Sequence, residues 1–452
     1  MIKNNQNLNE IQKYFLILIC LLPLMLIFSR AFSEFIVIII SFLVIFNLKR
    51  MSAFFLSKEL RIDFFVIILF FIYLLINLFF TLNIHLSIER TLPFIRWVFF
   101  VIGVSYFFAF ADIKKIDLFF KVFLMIMLIQ SLYVIVDFSI IQIKQYSTIF
   151  GDLSANQSLI YRSNGFFSDN KSGSYISKFF LIPILWLVSK KTNDYKILSV
   201  FLIFSFAVFA SGERASIFGF FITLVLVFLF LKNFRIKLLK VICLAALLLI
   251  ILLTAVPHFK TRIVDSTLFL FGYAELIKDT NISEAYHNSG GDVLNEIDSF
   301  KDSQHGSHML TAIQIWKNNK FFGSGLKTFR YMSSKKEFEN IDSKNSHLRF
   351  ANHPHNYYLE ILSELGVFGI IIFLLLALRV FYNLLYFRDL KSRLFFYIAP
   401  SFLSFVFFWP LITTGSFFTN WISIIFWFLF AMTIGFKYRY NLKIDKKRLY
   451  PL

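Results

Sequence analysis

His353-Pro354-His355-Asn356 places two imidazoles, a proline and an amide directly ahead of an apolar run that opens with Tyr357 and Tyr358. Glu360, Glu364, Gly366 and Gly369 follow within it. An imidazole titrates near neutral pH and can take a proton from a hydroxyl. Asn is a favoured helix N-cap, and Pro is tolerated where a helix starts. A helix beginning here turns its free N–H groups and positive dipole end outward. That suits an anion and biases His355 toward its neutral form. The same residues also fit a plain cap where a helix enters a membrane, with both histidines interfacial. Glu360 and Glu364 share the helix face of Asn356 and equally suit a solvated face, while Gly366 and Gly369 suit close helix packing.

Other candidates are scattered along the chain. Arg214, in Ser211-Gly212-Glu213-Arg214-Ala215-Ser216, stands in a tight external turn between two apolar runs. A guanidinium there can fork onto phosphate oxygens, or pair with Glu213, or reach lipid headgroups. His305 and His308 invite a metal reading, with each other or with His353 and His355. However, no HExxH-like spacing or acidic cluster accompanies them, so the spacing argues against a metal. Lys327 and Arg330 extend a cationic surface toward a phosphate or belong to a solvated loop. Arg30 with Glu34, and Arg90 with Arg96, fall at external helix ends that can line the same cavity. Asp137 is either polar lining or the mark of an early helix end.

The elements that position these residues are membrane helices. Of the 452 residues 58% are hydrophobic, and they come in blocks about as long as a bilayer is thick. Twelve blocks are expected: 14–29, 35–48, 62–82, 92–110, 118–141, 174–188, 196–210, 215–231, 241–256, 364–385, 394–412 and 421–436. Backbone exposed to lipid must satisfy itself, so such blocks are helices. Every second connection is rich in Lys and Arg, which predicts both termini in the cytoplasm and the alternate loops outside. The formal charge of +19 lies mainly in those short connections and calls for no nucleic-acid partner. Cys20 and Cys243 fall inside apolar blocks, which excludes a disulfide framework. The segment Ile27-Phe28-Ser29-Arg30 lacks a signal-peptide cleavage pattern, so the first block reads as a retained helix.

Two external segments are long, about 142–173 and about 257–356, and the second carries seven of the eight histidines. Loops of that length in a compact fold are functional or disordered. Residues 279–307, with Asn288-Ser289-Gly290-Gly291, read as mobile. Residues 308–319 space Met309, Ile313 and Trp316 as a short amphipathic helix, and Phe321-Phe322-Gly323-Ser324-Gly325 reads as a turn. The chain thus divides into 1–256 (nine helices), 257–363 (the large loop with the histidine motif) and 364–452 (three helices and a basic tail).

His355-Asn356, nine intervening residues, and Gly366-x-x-Gly369 resemble the signature of the O-antigen ligase superfamily. That group comprises O-antigen ligases, O-antigen polymerases and protein O-oligosaccharyltransferases. The resemblance extends to twelve spans, one large periplasmic loop, an arginine at the turn before the eighth span, and the Trp316 and Gly323-Ser324-Gly325 pattern. It implies an all-α polytopic fold of the C-type glycosyltransferase kind in the bacterial inner membrane, with its active site periplasmic. It implies a metal-independent glycosyltransferase, without cofactor, that takes an undecaprenyl-diphosphate-linked glycan as donor. The acceptor would be the lipid A core or a lipid-linked glycan. His355 would be the general base and Arg214 would hold the donor diphosphate. His353, Asn356, His305, His308, Lys327, Arg262 and Arg330 would bind substrate around them. Ligases often carry a second essential arginine near the start of the 308–319 helix. This sequence has His305 and His308 there, so a histidine takes that role or Arg262 or Arg330 supplies the charge. Ligation to the lipid A core is the first expectation and polymerisation of O-units the second. A transporter of the same lipid is the rival of another class, but no repeated halves or midplane polar groups appear.

Overall fold

The computed structural model describes residues 2–144, 147–148, 151–152, 162–167, 170–232, 235–273, 297–387, 392–412 and 415–449. The chain opens with α1 (Ile2–Phe28), α2 (Arg30–Phe46), α3 (Leu48–Phe55), α4 (Arg61–Asn77) and α5 (Ile84–Thr91). It continues with α6 (Ile95–Phe110), α7 (Ile113–Lys144), α8 (Ser172–Phe179), α9 (Leu181–Ser189) and α10 (Asp194–Ala210). Next come α11 (Arg214–Phe230), α12 (Arg235–Ala255), α13 (Pro257–Lys260) and, after a π turn over Thr261–Asp265, α14 (Ser266–Leu270). The large loop contributes α15 (Gln304–Asn318) and α16 (Phe329–Met332), and the chain finishes with α17 (Tyr357–Tyr386), α18 (Ala399–Val406) and α19 (Asn420–Leu449). A two-residue antiparallel pair joins Ser147–Thr148 to Gly151–Asp152.

Among the described residues seven helical stretches are long and apolar enough to cross a bilayer: Glu10–Phe28, Ile84–Phe110, Ile113–Ile140, Ser172–Ser189, Leu238–Ala255, Tyr357–Tyr386 and Asn420–Leu442. The pair α2 and α3, bent by 93°, makes an eighth if taken as one span. Arg214–Phe230 and Leu394–Val406 are shorter apolar helices. The protein is therefore a helical, multi-pass membrane protein. Its centre is α19, whose Phe426, Trp427, Phe428 and Phe430 are buried against α6 and α18.

Several expected boundaries shift for local reasons. The 394–412 block is not one helix: a 3-10 turn over Ser392–Tyr397 leads into α18, and Phe407–Ile412 is irregular. Pro410 disfavours helical backbone at Trp409. Asp137 marks no early end, since α7 runs past it with Asp137 buried. The loop helix begins one turn before 308, where Ser303 Oγ accepts the Gly306 N–H at 3.1 Å and caps α15. Of the stretch read as mobile, 279–296 lies outside the described residues. From Ile297 on the chain is held, with Asp302 accepting from Lys344 N–H and, through its carbonyl, from the Asn345 amide, both at 2.9 Å.

An ion cluster crosses the bundle. Asp63 of α4, fully buried, accepts from Arg379 of α17 at 2.7 and 2.8 Å and from Asn383 at 2.8 Å. Lys437 of α19 adds a fourth bond at 2.9 Å.

Candidate functional site

Asn356 caps α17 as its residue type suggests. Its side-chain oxygen accepts from Tyr358 and Leu359 N–H at 3.0 and 3.2 Å, and its amide donates to the Pro410 carbonyl at 2.9 Å. The residue before it, His355, has φ 59°, a left-handed conformation that a non-glycine residue adopts only when its surroundings hold it there. That twist turns the ring back onto the loop helix. Its centroid lies 4.2 Å from that of His353, 4.5 Å from His305 and 5.3 Å from His308. His305 and His308 stand three residues apart on α15 and so share one face.

What brings α15 against α17 is a break in α17. Gly366 has φ 68° and ψ −165°, a region essentially closed to residues with a side chain. The break frees backbone groups, and the turn after α15 takes them up. Ser324 N–H donates to the Ser363 carbonyl at 2.9 Å, Gly325 N–H to Glu364 at 2.8 Å, and Val367 N–H to Lys320 at 2.9 Å. Gly366 therefore serves the docking of the loop and not helix packing; Gly369 does pack against a neighbouring helix, beside the Tyr73 ring. Nor do Glu360 and Glu364 form a solvated face: both are buried. Glu364 accepts from Lys327 and Phe329 N–H at 2.7 and 3.0 Å, and Glu360 from Phe417 N–H at 2.8 Å. These carboxylates fasten loop backbone to α17.

A cavity of about 650 Å³ opens beside the histidines. His305, His353, His355 and Arg214 all line it, as do Arg30 and Arg90. Arg214 opens α11, and its guanidinium donates to Thr267 at 3.0 Å. Glu213, also in the lining, accepts from Gly173 and Ser174 N–H, each at 3.0 Å, and from Ser216 at 2.8 Å. It thereby ties the start of α8 to the start of α11. Burial pushes its carboxyl above the usual range, opposed by the Ser216 bond and by Arg162 and Lys178. Glu34 pairs with Arg96 at 2.5 Å, and Arg90 donates to Asn420 at 2.6 Å.

Three cavity cations escaped the sequence reading: Arg162, Lys171 and Lys178. Arg162 carried the same signal that singled out Arg214, a basic residue in an external loop against the charge bias. Lys171 is lowered to about 8 by burial and by Arg30, with Glu213 opposing. The wall thus sets six cations, with Glu213 as its acidic member, around the imidazoles. Burial, then His355 and His308, then Arg214 and Arg162, hold His305 down at about 3. Burial and His355 hold His308 at about 4, partly offset by the Leu348 backbone.

Arg262, Lys327, Arg330, Asn356 and His308 stand outside the lining. Arg262 is buried in the π turn, Lys327 faces Glu89 at 3.7 Å, and Arg330 is exposed. His308 lies behind the lining histidines, 2% exposed. His305, His308 and His355 are also the one group of possible metal ligands found among the described residues, their donor atoms all within 4.8 Å of one another.

No curated protein matches the chain. Residues 199–374 match the family described as O-Antigen ligase, a stretch that runs from α10 through the break in α17. It includes Arg214 and the whole histidine cluster, whereas Arg30, Arg90, Arg162, Lys171 and Lys178 lie outside it. That family supports an enzyme of glycosyltransferase type, with O-antigen ligase or polymerase activity on a lipid-linked glycan and a lipid acceptor, in a bacterial membrane. Over residues 199–374 this multi-pass protein is thus similar to the O-antigen ligase family.

Proposed function

We propose that the protein transfers an undecaprenyl-diphosphate-linked O-antigen glycan to the lipid A core at the periplasmic face of the inner membrane, with twelve spans and both termini cytoplasmic. One observation carries this reading: His355 faces the same cavity as Arg214 and five further cations. The acceptor hydroxyl oxygen attacks the anomeric carbon of the donor, the carbon–oxygen bond to the diphosphate breaks, and the diphosphate leaves with the electron pair. His355 takes the hydroxyl proton. Arg214, with Arg30, Arg90 and Arg162 around it, stabilises the negative charge that grows on the leaving group. Fixed cations aimed at that charge do the work a divalent ion would do, so the transfer runs without one. His353 supports the His355 ring from the side, and His305 bounds the space in which the hydroxyl approaches.

The test is complementation of a deletion strain, read from lipopolysaccharide banding. Bare lipid A core with long lipid-linked polymer accumulating is the expected pattern for the deletion, and wild-type protein should restore capped core. Core carrying a single repeat unit would instead identify a polymerase. His355→Ala should fail to complement while inserting normally, since a general base contributes about 10²- to 10⁴-fold. Full complementation by His355→Ala would overturn the assignment of the base.

A further inference from the structure

We propose that His305, His308 and His355 form a binding site for a divalent transition-metal ion of the zinc class, and that its occupation switches the transfer off. The geometry is that of a three-imidazole centre nearly drawn together. The donor atoms lie within 4.8 Å of one another. A tetrahedral ion with nitrogen ligands at about 2.0–2.1 Å needs them somewhat closer. His308 is the telling member. It is 2% exposed, yet neither ring nitrogen completes a hydrogen bond of normal geometry among the described residues, and His305 Nδ1 is in the same position. Buried polar nitrogens left in that state call for a partner.

The donor set also selects the metal. Three imidazoles without a carboxylate suit zinc, copper or nickel and do not suit magnesium, calcium or manganese. His305 and His355 open onto the cavity, which leaves a coordination position free, as in sites that are not purely structural. Arg214 and Arg162 lie near enough to disfavour charge on His305, and the same repulsion weakens a cation held there. The ion therefore binds reversibly. The binding part of the proposal stands on geometry alone; the inhibition part rests on the proposed role of His355, whose proton-accepting lone pair the metal would occupy.

The experiment uses full-length protein without a polyhistidine tag, stripped with chelator in detergent. Zinc chloride and magnesium chloride are titrated by calorimetry, and transfer is assayed at each zinc concentration. Expected are one zinc per chain with no magnesium heat, at least tenfold weaker zinc binding in His308→Ala and in His305→Gln, and loss of wild-type transfer that chelator restores. Thermal melting near wild type shows that the variants fold. Absence of stoichiometric zinc binding, or binding unchanged in both variants, overturns the site. Stoichiometric binding without inhibition overturns the switch and with it the assignment of His355. Transfer that requires zinc also overturns the switch, and refutes the metal-free reaction while leaving the site in place.

Discussion

Gly366→Ala tests how the site is assembled. At φ 68° and ψ −165° an added side chain is strained by about 1–3 kcal/mol whatever space surrounds it. There is no space: the new Cβ would press on the Phe321 carbonyl and lie 2.6 Å from Gly323 N, both parts of backbone that cannot rotate away. Relief means parting the loop turn from α17 and losing the bonds from Ser324, Gly325 and Val367, at about 0.5–1.5 kcal/mol each. Wild type loses the same bonds when the loop undocks, so the shift toward the undocked loop is the strain itself, about 1–3 kcal/mol. At the upper end the undocked population rises about 100-fold. Limited proteolysis of the segment after Ile297 in purified protein reads that population, and cleavage should accelerate accordingly while the helices of the bundle stay protected. Gly219→Ala is the control, since its Cβ meets side-chain methyls of Val406 and Ile412 at an ordinary 3.7 Å; it should cleave like wild type. Cleavage of Gly366→Ala at the wild-type rate would refute the docking argument.

Arg214→Lys keeps the charge but loses the fork. Transfer should fall about 10- to 100-fold, the worth of a charged hydrogen bond at about 1.5–3 kcal/mol, and activity within twofold of wild type would exclude a forked contact. Lys171, lowered to about 8, is charged below that pH and neutral above it. Donor binding should therefore weaken as pH rises through 8, and Lys171→Arg should flatten the profile. A bound diphosphate raises the lysine again, so the fall in kcat should lie at higher pH than the fall in kcat/KM. Arg162→Ala should raise KM for the lipid-linked donor while the protein still inserts and melts normally; an unchanged KM would remove Arg162 from the donor site. Transfer should also persist in EDTA, and a strict divalent requirement would sink the metal-free mechanism.

Local chemistry made part of this site legible in the sequence. Asn356 is a cap by residue type, and Arg214 stands out because an external arginine breaks the charge bias. The meeting of His355 with His305 and His308 was not legible, since it depends on the turn at 320–325 docking onto a helix break about forty residues further on. Gly366 illustrates the difficulty: a glycine in an apolar helix reads as packing, and only its backbone angles show otherwise. Lys171 and Lys178 likewise join the cavity through Glu213, whose partners at Gly173 and Ser174 are distant in sequence. Helix boundaries in the apolar blocks moved by a few residues, whereas the 394–412 block failed because Pro410 interrupts it.

The ion cluster around Asp63 sets a schedule for making the protein. Asp63 emerges early, whereas Arg379 follows 316 residues later and Lys437 374 residues later. At about 5–20 residues per second the wait for Lys437 is roughly 20–75 s. For most of that interval, until Arg379 is made, a carboxylate bound for the bundle interior has neither of its cationic partners, a costly state in a membrane. Helix α4 therefore cannot settle before α17 arrives, and a ribosome that stops short of residue 379 releases a chain marked by one unanswered charge.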